Sequence, residues 1–214
     1  FKSLWRPASE AAQIQRGPRE MPSRSADNLF WLGRYIERAD WTFRVLRNCL
    51  SRIEEDSGPR QSLALARVAL INLLNRDSTT PVEVPPGLDE PRVVAYLARM
   101  LMTSTERAYG LPQTLTHVHR VASLTRDRLS LEAWRTLNAF YAGRRWQSAS
   151  LPASMGESLD LIDAGLAVVA AFNGLSHENM TRNLGWSFLD MGRRVSRALH
   201  LSEVLLSAFR EGPA

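Results

Sequence analysis

Between residues 28 and 50 apolar side chains recur at alternating steps of three and four. Leu29, Leu32, Ile36, Ala39, Phe43, Leu46 and Leu50 fall on one narrow stripe when the segment is wound at roughly 100° per residue. That spacing predicts a helix whose seam packs on other helices. A second stripe, Trp31, Arg34, Arg38, Trp41 and Val45, lies roughly 140° away by the same geometry, with Glu37, Asp40 and Arg44 between the two. Two indoles carry too much apolar surface to be left in water. The helix is therefore expected to touch partners on both sides, with arginines held between aromatic rings.

The rest of the chain reads the same way. Ser23 or Ser25 caps the first helix, which ends near Asp56, before Gly58 and Pro59. A second helix covers residues 61–76. Residues 77–91 form a loop with four prolines, long enough to be functional or a loose surface segment. Asp89 and Pro91 start a third helix, expected to reach Arg107, and Pro112 opens a fourth. Ser130 caps a fifth. Ser154 and Glu157 form a capping box for a sixth, ending near Leu175, and the last helix spans residues 178–209. No segment alternates as a strand does. The fold class is all-α, a helical bundle of six or seven helices. Residues 1–24, with three prolines and no period, read as a linker or docking arm, and residues 25–210 as the bundle.

One repeat stands out. Shifted by 159 positions, residues 29–50 lie over residues 188–209 without a gap, and six of the 22 positions are identical. The identities include Gly33/Gly192, Arg34/Arg193, Arg38/Arg197 and Ala39/Ala198. The apolar seam recurs as Phe188, Met191, Val195, Ala198, Ser202, Leu205 and Phe209. A shared seam is common to amphipathic helices; a shared Gly-Arg pair with a second arginine four residues on marks a pseudo-symmetric pair of long helices, first and last. Each glycine costs its helix roughly 1 kcal/mol relative to alanine, which a close helix–helix approach, one glycine against the other, explains.

Composition narrows the function. The net charge is +5, and 26 of the 27 basic residues are arginine. They are scattered among acids instead of forming a basic stripe, which argues against nucleic acid. Cys49 is the only cysteine, so no disulfide or cysteine-based metal site forms within one chain. The apolar run at 165–172 is far short of a membrane span, and no targeting segment is visible, so the expected compartment is the cytoplasm, with no membrane partner. The chain begins with Phe, as a fragment or processed product would. His117 and His119, two apart on a helix, point to different sides, and no metal site is expected. No nucleophile motif or phosphate-binding loop occurs, so no cofactor is expected here.

The segments PSRSADNLFWLGRYIERAD, RDRLSLEAWRTLN and NMTRNLGWSFLDMGRRVSRAL, in that order, resemble the bacterial alpha-E family, a helical domain of undefined biochemistry. The resemblance spans nearly the whole chain after residue 20. It implies an association with circularly permuted ATP-grasp domains, beside or fused ahead of it, in what look like peptide-ligation or peptide-modification systems. The chain would then be the C-terminal part of such a fusion, with the ATP chemistry outside it. The family's motif positions fall on Arg34, Glu37 and Arg38, on Asn138, and on Met180, Thr181, Arg182, Trp186, Gly192, Arg193 and Arg197. Two departures matter. Ser196 stands where the family's second long helix commonly has a glutamate, and His119 and Ser123 replace two arginines of the middle motif. A catalytic centre built from those charges would be incomplete here.

Two readings of the arginines stay open. Should the first and last helices pack antiparallel or crossed, Arg34, Arg38, Arg193 and Arg197 would converge, with Arg126 and Arg182 joining from neighbouring helix ends. Flanked by Trp31, Trp41 and Trp186, they would suit a carboxylate or phosphate. Alternatively Glu37, Asp40, Asp127 and Asp190 neutralise them as an interior network. The leading functional expectation is a non-catalytic accessory domain that binds an ATP-grasp ligase, in cis or in trans, or its carboxylate-bearing peptide, with residues 77–91 and the N-terminal arm as docking surfaces. The competing one is an enzyme domain with Glu37 as acid/base; a homo-oligomerisation module is the third.

Overall fold

The computed structural model describes residues 21–54, 60–143 and 154–210. Among these the secondary structure is entirely helical: α1 (Ser23–Glu54), α2 (Arg60–Asn75), α3 (Glu90–Thr103), α4 (Leu111–Leu124), α5 (Leu131–Ala142), α6 (Met155–Asn179) and α7 (Leu184–Arg210), with a 3₁₀ turn at Arg126–Arg128. The all-α bundle with long first and last helices is as expected. The caps follow local chemistry. Asp89, Ser130 and Ser154 each accept a hydrogen bond from the backbone N–H three residues on. At α1 no serine caps. Pro22 supplies the carbonyl that accepts from Ser25 and Ala26, so Ser23 and Arg24, read as part of the arm, are helical. Residues 1–20 of the expected arm lie outside the described residues.

Three boundaries differ from expectation, the first being the end of α6, which runs past Leu175 to Asn179. α3 stops at Thr103, because the chain folds back through residues 104–110 to start α4; a Cβ on Gly110 would lie 2.1 Å from the Ser104 carbonyl oxygen. The last helix begins at Leu184, where Asn183 Oδ1 accepts from the N–H groups of Gly185 and Trp186 and closes the α6–α7 turn.

α1 is the central strut and touches α2, α3, α4, α6 and α7. Its predicted seam is fully buried, from Leu29 to Leu50, against core side chains such as Leu70, Leu97, Leu115, Ile162 and Phe172. The loop after α2 is pinned. Arg107 donates to the carbonyls of Leu74 (2.9 Å) and Thr80 (2.6 Å), and Asn75 Oδ1 accepts from Val82 N–H. By length and composition α6 as a whole is long and apolar enough to cross a membrane, more than the short run at 165–172 implied. In this fold it lends Leu161, Ile162, Val169 and Phe172 to the core, with Gly165 laid against the Phe43 ring.

α1 and α7 run parallel, neither antiparallel nor steeply crossed, and they meet at equivalent positions. A Cβ on Gly33 would lie 2.1 Å from the Leu189 carbonyl oxygen, and one on Gly192 would lie 2.0 Å from that of Phe30. Leu189 is Phe30 shifted by 159, so the contact is reciprocal about a pseudo-two-fold axis. This geometry decides which stripe of α7 faces inward. With equal faces meeting, the two seams point away from each other. That of α1 is covered by α2, α3, α4 and α6. Met191, Val195, Leu205 and Phe209, the equivalent seam of α7, are exposed, while Leu189, Gly192, Ser196 and His200 are buried instead.

A Gly33→Ala substitution is expected to destabilise by roughly 1–3 kcal/mol, because backbone on α7 must move. Gly174→Ala, in a helix with open space around the new Cβ, should stabilise by up to ~1 kcal/mol. Urea unfolding of the two variants checks both signs.

Candidate functional site

The α1–α7 interface holds four of the predicted arginines, two of them at one carboxylate. Glu37, 5 % exposed, accepts from Arg197 Nε at 2.7 Å and Arg197 Nη2 at 3.0 Å. Arg193 Nε stands 4.0 Å from the same carboxylate, too far for a hydrogen bond, and is itself buried without an acceptor among the described residues. Burial pushes the Arg193 guanidinium down, and the nearby Glu37 opposes that shift. Arg197 is raised, first by its hydrogen bonds to Glu37.

On the other flank Arg34 Nε donates to Ser196 Oγ at 3.2 Å, and its guanidinium lies 5.2 Å from the Trp31 ring. Arg38 is 9 % exposed, donates to the Ala108 carbonyl at 3.0 Å, and lies against the rings of Tyr109 (4.1 Å) and Tyr35 (5.3 Å). Neither has a carboxylate partner among the described residues. Trp31 stacks on Tyr35, which stacks on His117. Arg34 is thus held against Trp31, as the second stripe of α1 predicted, whereas Arg38 lies against Tyr35 and Tyr109, and Trp41, expected to flank the arginines, stacks on His200 instead.

Two predicted members stand apart. Arg126 lies over Trp134 at the 3₁₀ turn, and Arg182 lies over Trp186 and pairs with His177 at the α6–α7 turn. Near that turn a polar cleft of about 270 Å³ is lined by Asp127, Ser130, Thr181 and Asn183, among others. Ser130 and Asn183 are already used as helix caps. His119 stacks on Tyr141 at 4.1 Å and meets Asn138 Oδ1 at 3.1 Å, on a different side of α4 from His117. No group of three or more metal-ligating side chains occurs among the described residues.

A family comparison now bears on this geometry. Residues 21–213 match the model of Alpha-E, described as a predicted alpha-helical domain with a conserved ER motif. The chain belongs to the Alpha-E family. Glu-Arg occurs in it at 37–38 and at 106–107, and the first pair is the one at the α1–α7 interface. Among relatives, the uncharacterized proteins Rv2567 of Mycobacterium tuberculosis and Mb2597 of Mycobacterium bovis are each 26% identical over 194 residues, covering 85% of this chain and 22% of the relative. The chain thus spans about a fifth of the length of these relatives. No solved structure matches.

Within this Alpha-E domain, sequence reasoning passed over His200. It stacks on Trp41 with ring centroids 5.3 Å apart, meets the Tyr109 ring edge-on, and is 2 % exposed. The signal was present: His200 is Trp41 shifted by 159, so the repeat already set the two rings opposite each other. Beside it lies a groove of about 440 Å³ between α1, α2 and α7, with Val45, Cys49, Ala66 and Leu73 on its walls and Leu65 and Val204 at its rim. Burial raises the Cys49 thiol to about 12, which makes it a packing residue and a poor nucleophile. The groove adjoins the uncovered side of α7.

Two outcomes follow. Glu37→Gln should cost roughly 1–3 kcal/mol in urea unfolding, because it leaves the buried Arg193 without its counter-charge while the exposed Arg197 is solvated. Arg38→Met should stay within ~1 kcal/mol of wild type, since no described carboxylate loses its partner. Burial, with Arg76 and Arg38 nearby, lowers His200 to about 3. The unfolded chain therefore binds a proton near pH 6.5 that the folded chain refuses. Stability from this group is complete above about pH 6.5 and falls as the pH drops toward 3. His200→Phe should flatten the decline between pH 6.5 and 4.5, read as the difference in urea midpoint from wild type.

Proposed function

We propose that this Alpha-E domain is a non-catalytic accessory module of an ATP-grasp peptide-ligase or peptide-modification system, and that it docks on the ligase through α7. The observation that carries the reading is the outward seam of that helix. Met191, Val195, Leu205 and Phe209, with Leu199 and Leu206 beside them, make an exposed apolar stripe at coiled-coil spacing. Exposed apolar surface of this extent marks an interaction site. The groove between α2 and α7 offers a recess beside the stripe for a protruding side chain. In the mycobacterial relatives the matching region is a minor share of a longer polypeptide, which supports a domain that works against a larger body. A cytoplasmic location is part of the same proposal.

The acid–base alternative is disfavoured by one observation: both carboxylate oxygens of Glu37 are engaged by Arg197 in a buried setting. A general base needs a free lone pair within reach of its substrate.

A separately expressed ATP-grasp portion should co-purify with this chain, and Met191→Asp with Leu205→Asp should weaken that binding at least tenfold. Both positions are exposed, so the fold should survive. Absence of binding at tens of micromolar would refute the docking reading, as would a stable symmetric dimer that buries α7 and excludes the ligase portion.

A further inference from the structure

The pseudo-two-fold axis between α1 and α7 creates two equivalent arginine sites, and only one of them holds a carboxylate. At the first site Glu37 is gripped on both oxygens by Arg197, with Arg193 4.0 Å away. The 159-residue shift carries Glu37 to Ser196, Arg197 to Arg38 and Arg193 to Arg34. At the second site the counterpart arginines are therefore Arg34 and Arg38, and a hydroxymethyl group stands in the place of the carboxylate. Arg34 Nε already reaches Ser196 Oγ at 3.2 Å, and Arg38 is more than nine-tenths buried with a backbone carbonyl as its hydrogen-bond acceptor. Holding a guanidinium out of water without a counter-charge is unfavourable. A second polar atom nearby is in the same condition. Nδ1 of His117 is buried with no described partner, and its ring stacks on Tyr35 while Nε2 faces the Gln113 amide. With that amide donating to Nε2, Nδ1 carries the hydrogen.

We infer that Arg34, Arg38 and Ser196 form a seat for a carboxylate supplied by a peptide ligand, in place of the glutamate that position 196 lacks. A carboxylate is the group its twin site already binds, by the fork-on-fork geometry that suits guanidinium. The aromatic rings of Phe30, Trp31 and Tyr35 around the two arginines shield the pair from water and favour binding. The seat lies at the α1–α7 interface and not on the outward seam of α7, so it stands or falls separately from the docking reading.

The test is a titration of the intact chain at constant ionic strength with four probes: N-acetylglycine for a peptide C-terminus, N-acetylglutamic acid α-amide for an acidic side chain, N-acetylglycinamide as the neutral control, and inorganic phosphate as the competing anion. The readouts are calorimetry and the Arg34 Nε–H resonance. One or both acids should bind with a dissociation constant on the order of 1 mM, the neutral amide should not bind, and the tighter acid identifies the source of the carboxylate. Arg34→Gln should weaken binding at least tenfold. Ser196→Glu keeps every arginine and fills the seat from within; it should abolish binding and leave the melting temperature equal to or above wild type. Equal binding of acid and amide, unchanged binding in Arg34→Gln, or retained binding in Ser196→Glu would overturn the assignment. So would inorganic phosphate binding more tightly than either acid.

Discussion

The backbone contact between the two long helices, Gly33 against Leu189 and Gly192 against Phe30, decides most of what surrounds it. The two helices touch through backbone with equal faces, and side-chain contacts that climb both together show that they run parallel. Every polar feature of the interface then follows in register: Arg34 reaches Ser196, Glu37 takes Arg197, and Trp41 stacks on His200. Glycine in mid-helix is unfavourable by itself, and here backbone contact offsets that cost.

That register also explains how charge comes to be buried. Equal faces bring arginine toward arginine across a pseudo-two-fold axis, and repulsion is relieved only where an acid stands between them. Glu37 does so on one flank. On the other, hydroxyl, carbonyl and ring contacts hold Arg34 and Arg38 without a described carboxylate. A single difference between the halves, glutamate against serine, makes one flank a closed ion-pair cluster and leaves the other short of negative charge.

The same symmetry exposes α7. Four helices, α2, α3, α4 and α6, cover the seam of α1, and the described chain holds no second set for the twin seam. An apolar stripe at regular coiled-coil spacing on a well-packed domain is costly to leave in water, and a partner surface removes that cost. The bundle is thus complete on its α1 side and open on its α7 side.

Much of this was legible in the residues. Period and capping chemistry determined the helical class, the buried seam of α1 and the starts of α3, α5 and α6, because those depend on interactions within a few residues. The 159-residue repeat pointed to Gly33 and Gly192 as partners, and the second stripe of α1 pointed to aromatic rings beside its arginines. What periodicity left open was which stripe of α7 faces inward, since it reveals a stripe and not its neighbour. The glycine contact turned the polar stripe to α1 and the apolar one outward. Likewise only the packed structure separated Arg126 and Arg182 from the interface, engaged both oxygens of Glu37 and left Arg38 without one, because each depends on side chains brought together from distant parts of the chain.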